Sequence, residues 1–213
     1  MIRVNVFVEG QTEETFVRDV LAPYFARQHI WLKAILAETS PGNKGGIVSY
    51  GKVKHQVTRL CRSDAGAYVT TLIDYYGLPT DFPSFAVAQG NGIQKVQLLE
   101  QAFAQDVGEG NFIAYLALHE FETLLFCKPA QFHDWFEDEQ AVGILEAVKA
   151  SYGNPEEIND SPHTAPSKRI LAAIPAYKKT LHGPMIAEEI GIDAMRNQCP
   201  HFDEWIKSIE LLA

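Results

Sequence analysis

Cysteine is scarce in this chain, and the three that occur, Cys61, Cys127 and Cys199, lie far apart with no CxxC spacing. That excludes a disulfide framework and a zinc ribbon or finger, and it leads us to expect a reducing, cytoplasmic setting. Long apolar runs are also missing. Nothing approaches the ~18 residues a membrane-spanning helix needs, and Met1 leads straight into the alternating run Ile2 to Val8, without a basic segment followed by an apolar one. Neither export nor membrane insertion is expected. No GxxxxGK[ST] phosphate loop occurs, so any use of ATP requires a separate protein. An excess of basic charge is missing too: 18 Lys and Arg stand against 27 Asp and Glu, a net charge of -9, which excludes a protein coated in nucleic-acid-binding surface.

With 213 residues, 46% of them hydrophobic, the chain has apolar material for one sizeable core, and one domain spanning 1–213 is the expectation. The acidity is local, since residues 118–160 hold ten acids and only two basic residues. A complementary stretch runs from Ser40 to Ser63, where Lys44, Lys52, Lys54, Arg59 and Arg62 occur without a single Asp or Glu. It reads either as an anion-facing patch or as a solvated helix face.

Ile2 to Val8 alternates β-branched and aromatic residues and stops at Gly10, after which Phe16, Val17, Val20, Leu21 and Tyr24 follow a helical period. Ile30 to Ala37, Tyr68 to Ile73 and Asn111 to Leu118 are further strand-like runs, separated by helical patterns over Ile47 to Leu60 and Gly92 to Val107. Strand and helix in alternation predict a mainly parallel sheet over residues 1–120. The segment 40–46 is rich in glycine and has a proline; regular structure is not expected there, and we expect it to be mobile and to border the site. After Glu120 only helical patterns recur, at 121–126, 142–150, 168–174, 185–190 and 202–212, so 121–213 reads as a helical elaboration.

Ligands of parallel sheets bind beyond the carboxyl ends of the strands. Glu9 follows Val8, Asp74 follows Ile73, and Glu120 and Glu122 follow Leu118 and His119, so the topology gathers carboxylates at one edge. Each acid alone reads equally well as the start of a solvated loop. Together they suit a hard cation such as Mg²⁺ or Mn²⁺. His119 suits general-base work or a phosphate contact, and equally a structural hydrogen bond at the strand end. Lys168 and Arg169, beside Ser167 at a helix start, suit phosphate oxygens or a solvated helix face. Tyr75, Tyr76, His201 and Phe202 suit base stacking or, more commonly, burial.

Val-Glu-Gly-Gln-Thr-Glu-Glu at 8–14 resembles the first strand and turn of Toprim-type nucleases of the overcoming-lysogenization-defect group. Further blocks resemble a Toprim-like bacterial family, domain of unknown function 4276. They are Asp-Tyr-Tyr-Gly-Leu-Pro at 74–79, Leu-His-Glu-Phe-Glu-Thr-Leu-Leu-Phe at 118–126, Asn-Pro-Glu-Glu-Ile-Asn at 154–159, Thr-Ala-Pro-Ser-Lys-Arg at 164–169 and Cys-Pro-His-Phe at 199–202. The resemblance implies a Toprim-like α/β fold and a Mg²⁺-dependent nuclease or phosphoryl-transfer activity. Glu9 would relay a proton beside the scissile phosphate, and Asp74, Glu120 and Glu122 would hold metal with Glu9. Lys168 and Arg169 would bind phosphate, with Lys44 of the acid-free stretch as a further phosphate candidate, and Glu9, Asp74, Glu120 and His119 form the expected catalytic set. It also implies nucleic acid as a partner and a separate ABC-type ATPase in a defence or repair module. The alternative is a non-catalytic partner protein of the same fold. The second strand of Toprim sites carries Asp-x-Asp, and here the match is Asp74-Tyr75-Tyr76, so the missing acid must be supplied by Glu120 or Glu122, or by Asp81 or Glu13.

Overall fold

The computed structural model describes residues 1–40, 43–47, 49–159 and 164–213, with only the backbone at 39–40 and 43–44. Four strands fall where alternation and β-branching put them: β1 (Ile2–Val8), β2 (Ile30–Leu36), β5 (Tyr68–Asp74), and a fourth that is split into β6 (Phe112–Ile113) and β7 (Leu116–Ala117). Their order is β2-β1-β5-β6, with β7 also on β5, and every pairing in this sheet is parallel. The split has a local cause. Thr71 Oγ1 accepts the Tyr115 N–H at 3.0 Å and donates to the Tyr115 carbonyl at 2.6 Å, so a side chain takes over the ladder for one residue.

The segment at 40–46 departs from expectation. β3 (Glu38–Ser40) pairs antiparallel with β4 (Asn43–Lys44), so strand pairing occurs where no regular structure is expected. Residues 41 and 42 between the strands lie outside the described residues. Gly45 and Gly46 follow with φ of 95° and 84°, a region that suits glycine. Their N–H groups donate to the carbonyls of Ala37 and Glu9, both at 2.8 Å, which ties this segment to the end of β1.

Helices cover both faces of the sheet. α1 (Gln11–Phe16) continues through a π turn at Val17–Leu21 into α2 (Ala22–Ala26), and Pro23 sits at the start of the latter. α3 (Tyr50–Ser63) and α4 (Gly92–Val107) follow, α4 opening on a reciprocal cap between Asn91 and Gln94. Beyond Glu120 come a 3₁₀ segment, Phe121–Cys127, and then α5 (His133–Phe136), α6 (Glu139–Ala150), α7 (Pro166–Ala173), α8 (Lys179–Ile190), α9 (Ile192–Gln198) and α10 (Pro200–Glu210). Among the described residues no core strand occurs after residue 130, as expected. None of the described helices is long and apolar enough to cross a membrane.

Alternation along β1 sorts the two cores. Val4, Val6 and Val8 pack with Phe16, Phe121, Ile186, Phe202 and Ile206, so the C-terminal helices cover the face shared with α1. Phe7 points the other way, into a cluster with Val53, Val57, Val69, Ile73, Leu99 and Phe103 from α3, β5 and α4. Two sequence blocks turn out to be structural in this packing. Glu156 accepts the backbone N–H groups of His201 and Phe202 at 3.0 and 2.9 Å, capping the first turn of α10. His201 and Phe202 are thereby buried, His201 stacked on Tyr115 at 5.1 Å, and neither is free to stack on a base. The thiols of Cys127 and Cys199 meet inside the core at 3.4 Å.

Candidate functional site: a carboxyl cluster around one lysine

The carboxyl edge of the sheet is where the acids meet. Val8 lies opposite Leu72 in the β1–β5 register, so Glu9 and Asp74 emerge side by side from adjacent parallel strands. Gly10 then turns the chain into α1, and Glu13 in its first turn folds back so closely that a Cβ on Gly10 would come within 2.9 Å of Glu13 Oε2. A side chain at position 10 would displace that carboxylate. Glu122 arrives on the 3₁₀ segment after the fourth strand and is fully buried; Glu13 and Asp74 are 3% and 9% exposed.

In the middle stands Lys179, the first residue of α8. Its Nζ lies 3.1 Å from Glu122 Oε2, 3.7 Å from Asp74 Oδ2 and 3.8 Å from Glu13 Oε1. Asp74 Oδ1 accepts the Phe121 N–H at 3.1 Å, and the Tyr177 hydroxyl donates to Glu122 Oε1 at 3.4 Å. Glu13 Oε1 and Glu122 Oε2 are enclosed and receive no aligned hydrogen bond from the described residues, so what compensates them is the ammonium.

One ammonium cannot neutralise four carboxylates in a region of low water content. Burial, reinforced by Glu13, pushes the Glu9 carboxyl up to about 7. Burial also raises Asp74 well above the usual carboxylate range; Lys179 opposes this, and Glu13, Glu9 and Glu122 add to it. Glu122 is raised by burial against the pull of Lys179. For Lys179 itself burial works downward, but the charges of Asp74, Glu122 and Glu13 outweigh it and hold the ammonium protonated. The site is therefore a proton-rich acidic pocket with one central cation.

Other expected site residues are placed elsewhere or are already engaged. Glu120 Oε2 accepts the Ser167 N–H at 3.0 Å, at the start of α7, yet it remains close enough to the cluster to raise the Glu122 carboxyl. Arg169 donates to the Thr164 carbonyl at 2.6 Å and to the Tyr152 hydroxyl at 2.7 Å, with its guanidinium over the Tyr152 ring. Lys168 is exposed on α7. The side chain of Lys44 lies outside the described residues. Asp81 accepts the Tyr50 N–H at 3.1 Å, where α3 begins, and does not join the acids. His119, with a left-handed φ of 68°, pairs through Nδ1 with Asn159 Nδ2 at 3.2 Å. It lines a separate cavity of about 290 Å³ with Asn91, Asn154 and Glu157.

The family model described as a domain of unknown function, DUF4276, matches residues 8–210. The chain belongs to this DUF4276 family. Among curated proteins nothing matches it. Among solved structures it is similar to the C-terminal region of the Burkholderia pseudomallei OLD protein, with 14% identity over 98% of this chain and 99% of that one and a TM-score of 0.46. It is also similar to the C-terminal region of the Xanthomonas campestris pv. campestris OLD protein phased with iodine, with 14% identity over 99% and 97% of the two chains and a TM-score of 0.43. The DUF4276 match takes in Glu9, Glu13, Asp74, Glu122 and Lys179, the whole of the cluster.

A bound cation can be tested against this donor set. All four carboxyl groups offer hard oxygens of the kind Mg²⁺ and Mn²⁺ take, and two of those oxygens are enclosed with only the Lys179 ammonium to compensate them. Among the described residues no three acids, histidines or cysteines already stand as a ready ligand set. Lys179 holds the centre, and its side chain is 39% exposed, so it has solvent into which to withdraw. The donor chemistry fits a divalent ion that competes with the ammonium.

Proposed function

We propose that this chain is a Toprim-like, divalent-metal-dependent phosphodiesterase acting on nucleic acid, with Glu9, Glu13, Asp74 and Glu122 as the metal-holding carboxylates. One observation carries the reading: four carboxyl groups converge at the carboxyl edge of a parallel sheet, and their two enclosed oxygens are compensated by a single ammonium, that of Lys179. A bound Mg²⁺ or Mn²⁺ would supply charge neutralisation at a phosphoryl oxygen. The chain supplies the rest. Glu9, at the end of β1, would stand beside the scissile phosphate and relay a proton there. Lys179, displaced from Glu122, would offer its ammonium to a phosphate oxygen. Asp74 is oriented by the Phe121 N–H, and Tyr177 fixes Glu122. Glu120 supports the site from the start of α7, and His119 stays with its own cavity.

A second reading, a non-catalytic Toprim-like partner of a separate ABC-type ATPase, is favoured by one feature: Lys179 already supplies the cluster with an internal counter-ion. Cleavage of labelled single- and double-stranded DNA and RNA, with Mn²⁺ or Mg²⁺ and with chelator, separates the two. Metal-dependent cleavage that Asp74→Asn abolishes supports the enzyme. Metal-independent cleavage, or cleavage that survives Asp74→Asn, refutes it, and no cleavage with or without an ATPase present leaves the partner reading.

A further inference from the structure

The acid-free stretch from Ser40 to Ser63 contains α3, and its basic residues fall on one side of that helix. At 100° per residue, Lys52, His55, Arg59 and Arg62 lie within an arc of about 80° and extend over roughly 15 Å. All four are exposed, while Val53, Val57 and Cys61 on the opposite face are buried against the sheet. Arg59 and His55 form no ion pair among the described residues. Arg62 reaches Glu109 across the surface at 2.6 Å, a pair in which Arg62 is 71% exposed and easily exchanged. Lys54, off the stripe, is held by Asp106 at 2.9 Å.

Beside this row lies a shallow groove of about 420 Å³ lined by His55, Thr58, Arg59, Arg62 and Ser63. Thr58 Oγ1 within it is enclosed and has no hydrogen-bond partner among the described residues. Arg59 also borders a second cavity with Lys33 of β2, where Glu14 and Glu38 contribute the opposing charge.

The direction of α3 matters. Its first residue, Tyr50, follows shortly after Gly46, whose N–H is bonded to the Glu9 carbonyl, and Tyr50 is itself tied to Asp81 beyond the carboxyl end of β5. Its far end is pinned by Asp64, which pairs with Arg3 at the start of β1. The stripe therefore begins at the edge of the sheet where the acids cluster and runs back along the molecule toward the opposite edge.

We infer that the Lys52–His55–Arg59–Arg62 face of α3 is a track for the phosphodiester backbone of a nucleic acid strand that leads toward the acidic crevice. At about 3.4 Å of rise per nucleotide, 15 Å of helix matches roughly four phosphates of one strand. A spaced row of basic side chains in a stretch free of Asp and Glu, on a chain of net charge -9, offers a polyanion a local path along α3. The inference rests on the nucleic-acid part of the proposed function and not on catalysis.

Binding is therefore measured without metal, in chelator, on the full chain. Fluorescence anisotropy of single-stranded and duplex DNA and RNA oligonucleotides is followed from about 50 to 200 mM salt. Arg59→Ala with Arg62→Ala is expected to weaken binding tenfold or more at low salt and to reduce the log–log salt slope by about 1.4 to 1.8, near 0.7–0.9 for each phosphate no longer neutralised. Lys128→Ala, an exposed lysine on a different surface, is expected to leave both unchanged. The conservative Arg59→Lys keeps the charge and is expected to retain most of the affinity, which guards against a folding defect in the double variant. Unchanged affinity or slope in the double variant, or equal loss in Lys128→Ala, overturns the track while leaving metal-dependent cleavage standing. Failure of the wild type to bind any oligonucleotide overturns it too and turns the stripe into a face for an acidic protein. Loss of binding in the double variant with no cleavage by the wild type, with or without an ATPase present, would uphold the track and refute the nuclease.

Discussion

Lys179 Nζ and Glu122 Oε2 stand 3.1 Å apart, with the lysine side chain 39% exposed and the glutamate completely buried. The buried partner depends on the exposed one. Removing one member of a buried pair commonly costs about 3–5 kcal/mol, and solvent screening at Lys179 reduces that to about 1–2. Lys179→Met should lower stability by that amount near pH 8, and the loss should shrink near pH 5, where the acids take up protons. Urea unfolding at the two pH values measures it. An equal loss at both would mean that the lysine acts through packing alone.

The raised carboxyl groups set a pH dependence of their own. Glu9 sits at about 7, above its unfolded value of 4.5, and Asp74 and Glu122 are shifted in the same direction. Groups raised on folding contribute stability that is complete below the unfolded value and is lost as pH climbs through the folded one. The metal-free protein should therefore lose roughly 2 kcal/mol between about pH 5 and pH 8. Glu9→Gln should flatten that slope, as followed by melting temperature against pH.

Gly183 in α8 marks a close approach to the site. A Cβ there would come 3.0 Å from the Tyr177 hydroxyl and 3.1 Å from the Phe121 ring, both on buried side chains. Alanine would gain about 0.5–1 kcal/mol of helix propensity, but overpacking of this kind costs about 1–3, so the clash wins. Gly183→Ala should destabilise by about 1 kcal/mol in denaturant unfolding. It should also push Tyr177 away from Glu122, visible as a changed near-ultraviolet tyrosine signal.

Glu120 can be told apart from the four clustered acids by what it holds. Its Oε2 caps the start of α7 through the Ser167 N–H. Glu120→Ala should cost about 1 kcal/mol, as cap losses do, while leaving metal affinity within a few-fold of the wild type. A loss of metal binding as severe as that of Asp74→Asn would instead put Glu120 among the ligands.

Much of the sheet is readable in the sequence because its strands are short runs of β-branched and aromatic residues between glycine-marked turns. The break in the fourth strand is not, since it depends on Thr71, more than forty residues away in sequence, bonding both sides of Tyr115. The pairing of β3 with β4 is hidden by the neighbouring proline and glycines, which usually signal irregular loops. At the site, Glu9, Asp74 and Glu122 can be found by asking which acids follow strands. Glu13 ranks lower because a first-turn glutamate on a helix is ordinarily a solvated dipole partner. Lys179 gives no such signal. Gly183-Pro184 reads as a turn, which puts the start of the helical pattern at Met185, whereas α8 begins at Lys179 and carries the proline inside it. A cation that reaches three acids from three different elements leaves no local pattern in the sequence.

Direct titration of Mn²⁺ near pH 8, followed by the loss of its free-ion paramagnetic resonance signal, bears on the metal-holding cluster most closely. We predict saturable binding by the wild type, at least tenfold weaker binding by Asp74→Asn, and tighter binding by Lys179→Met, because that substitution removes the ammonium competing for the same carboxylates. Wild-type binding that neither substitution changes, or no binding at all in either the wild type or Lys179→Met, would contradict it.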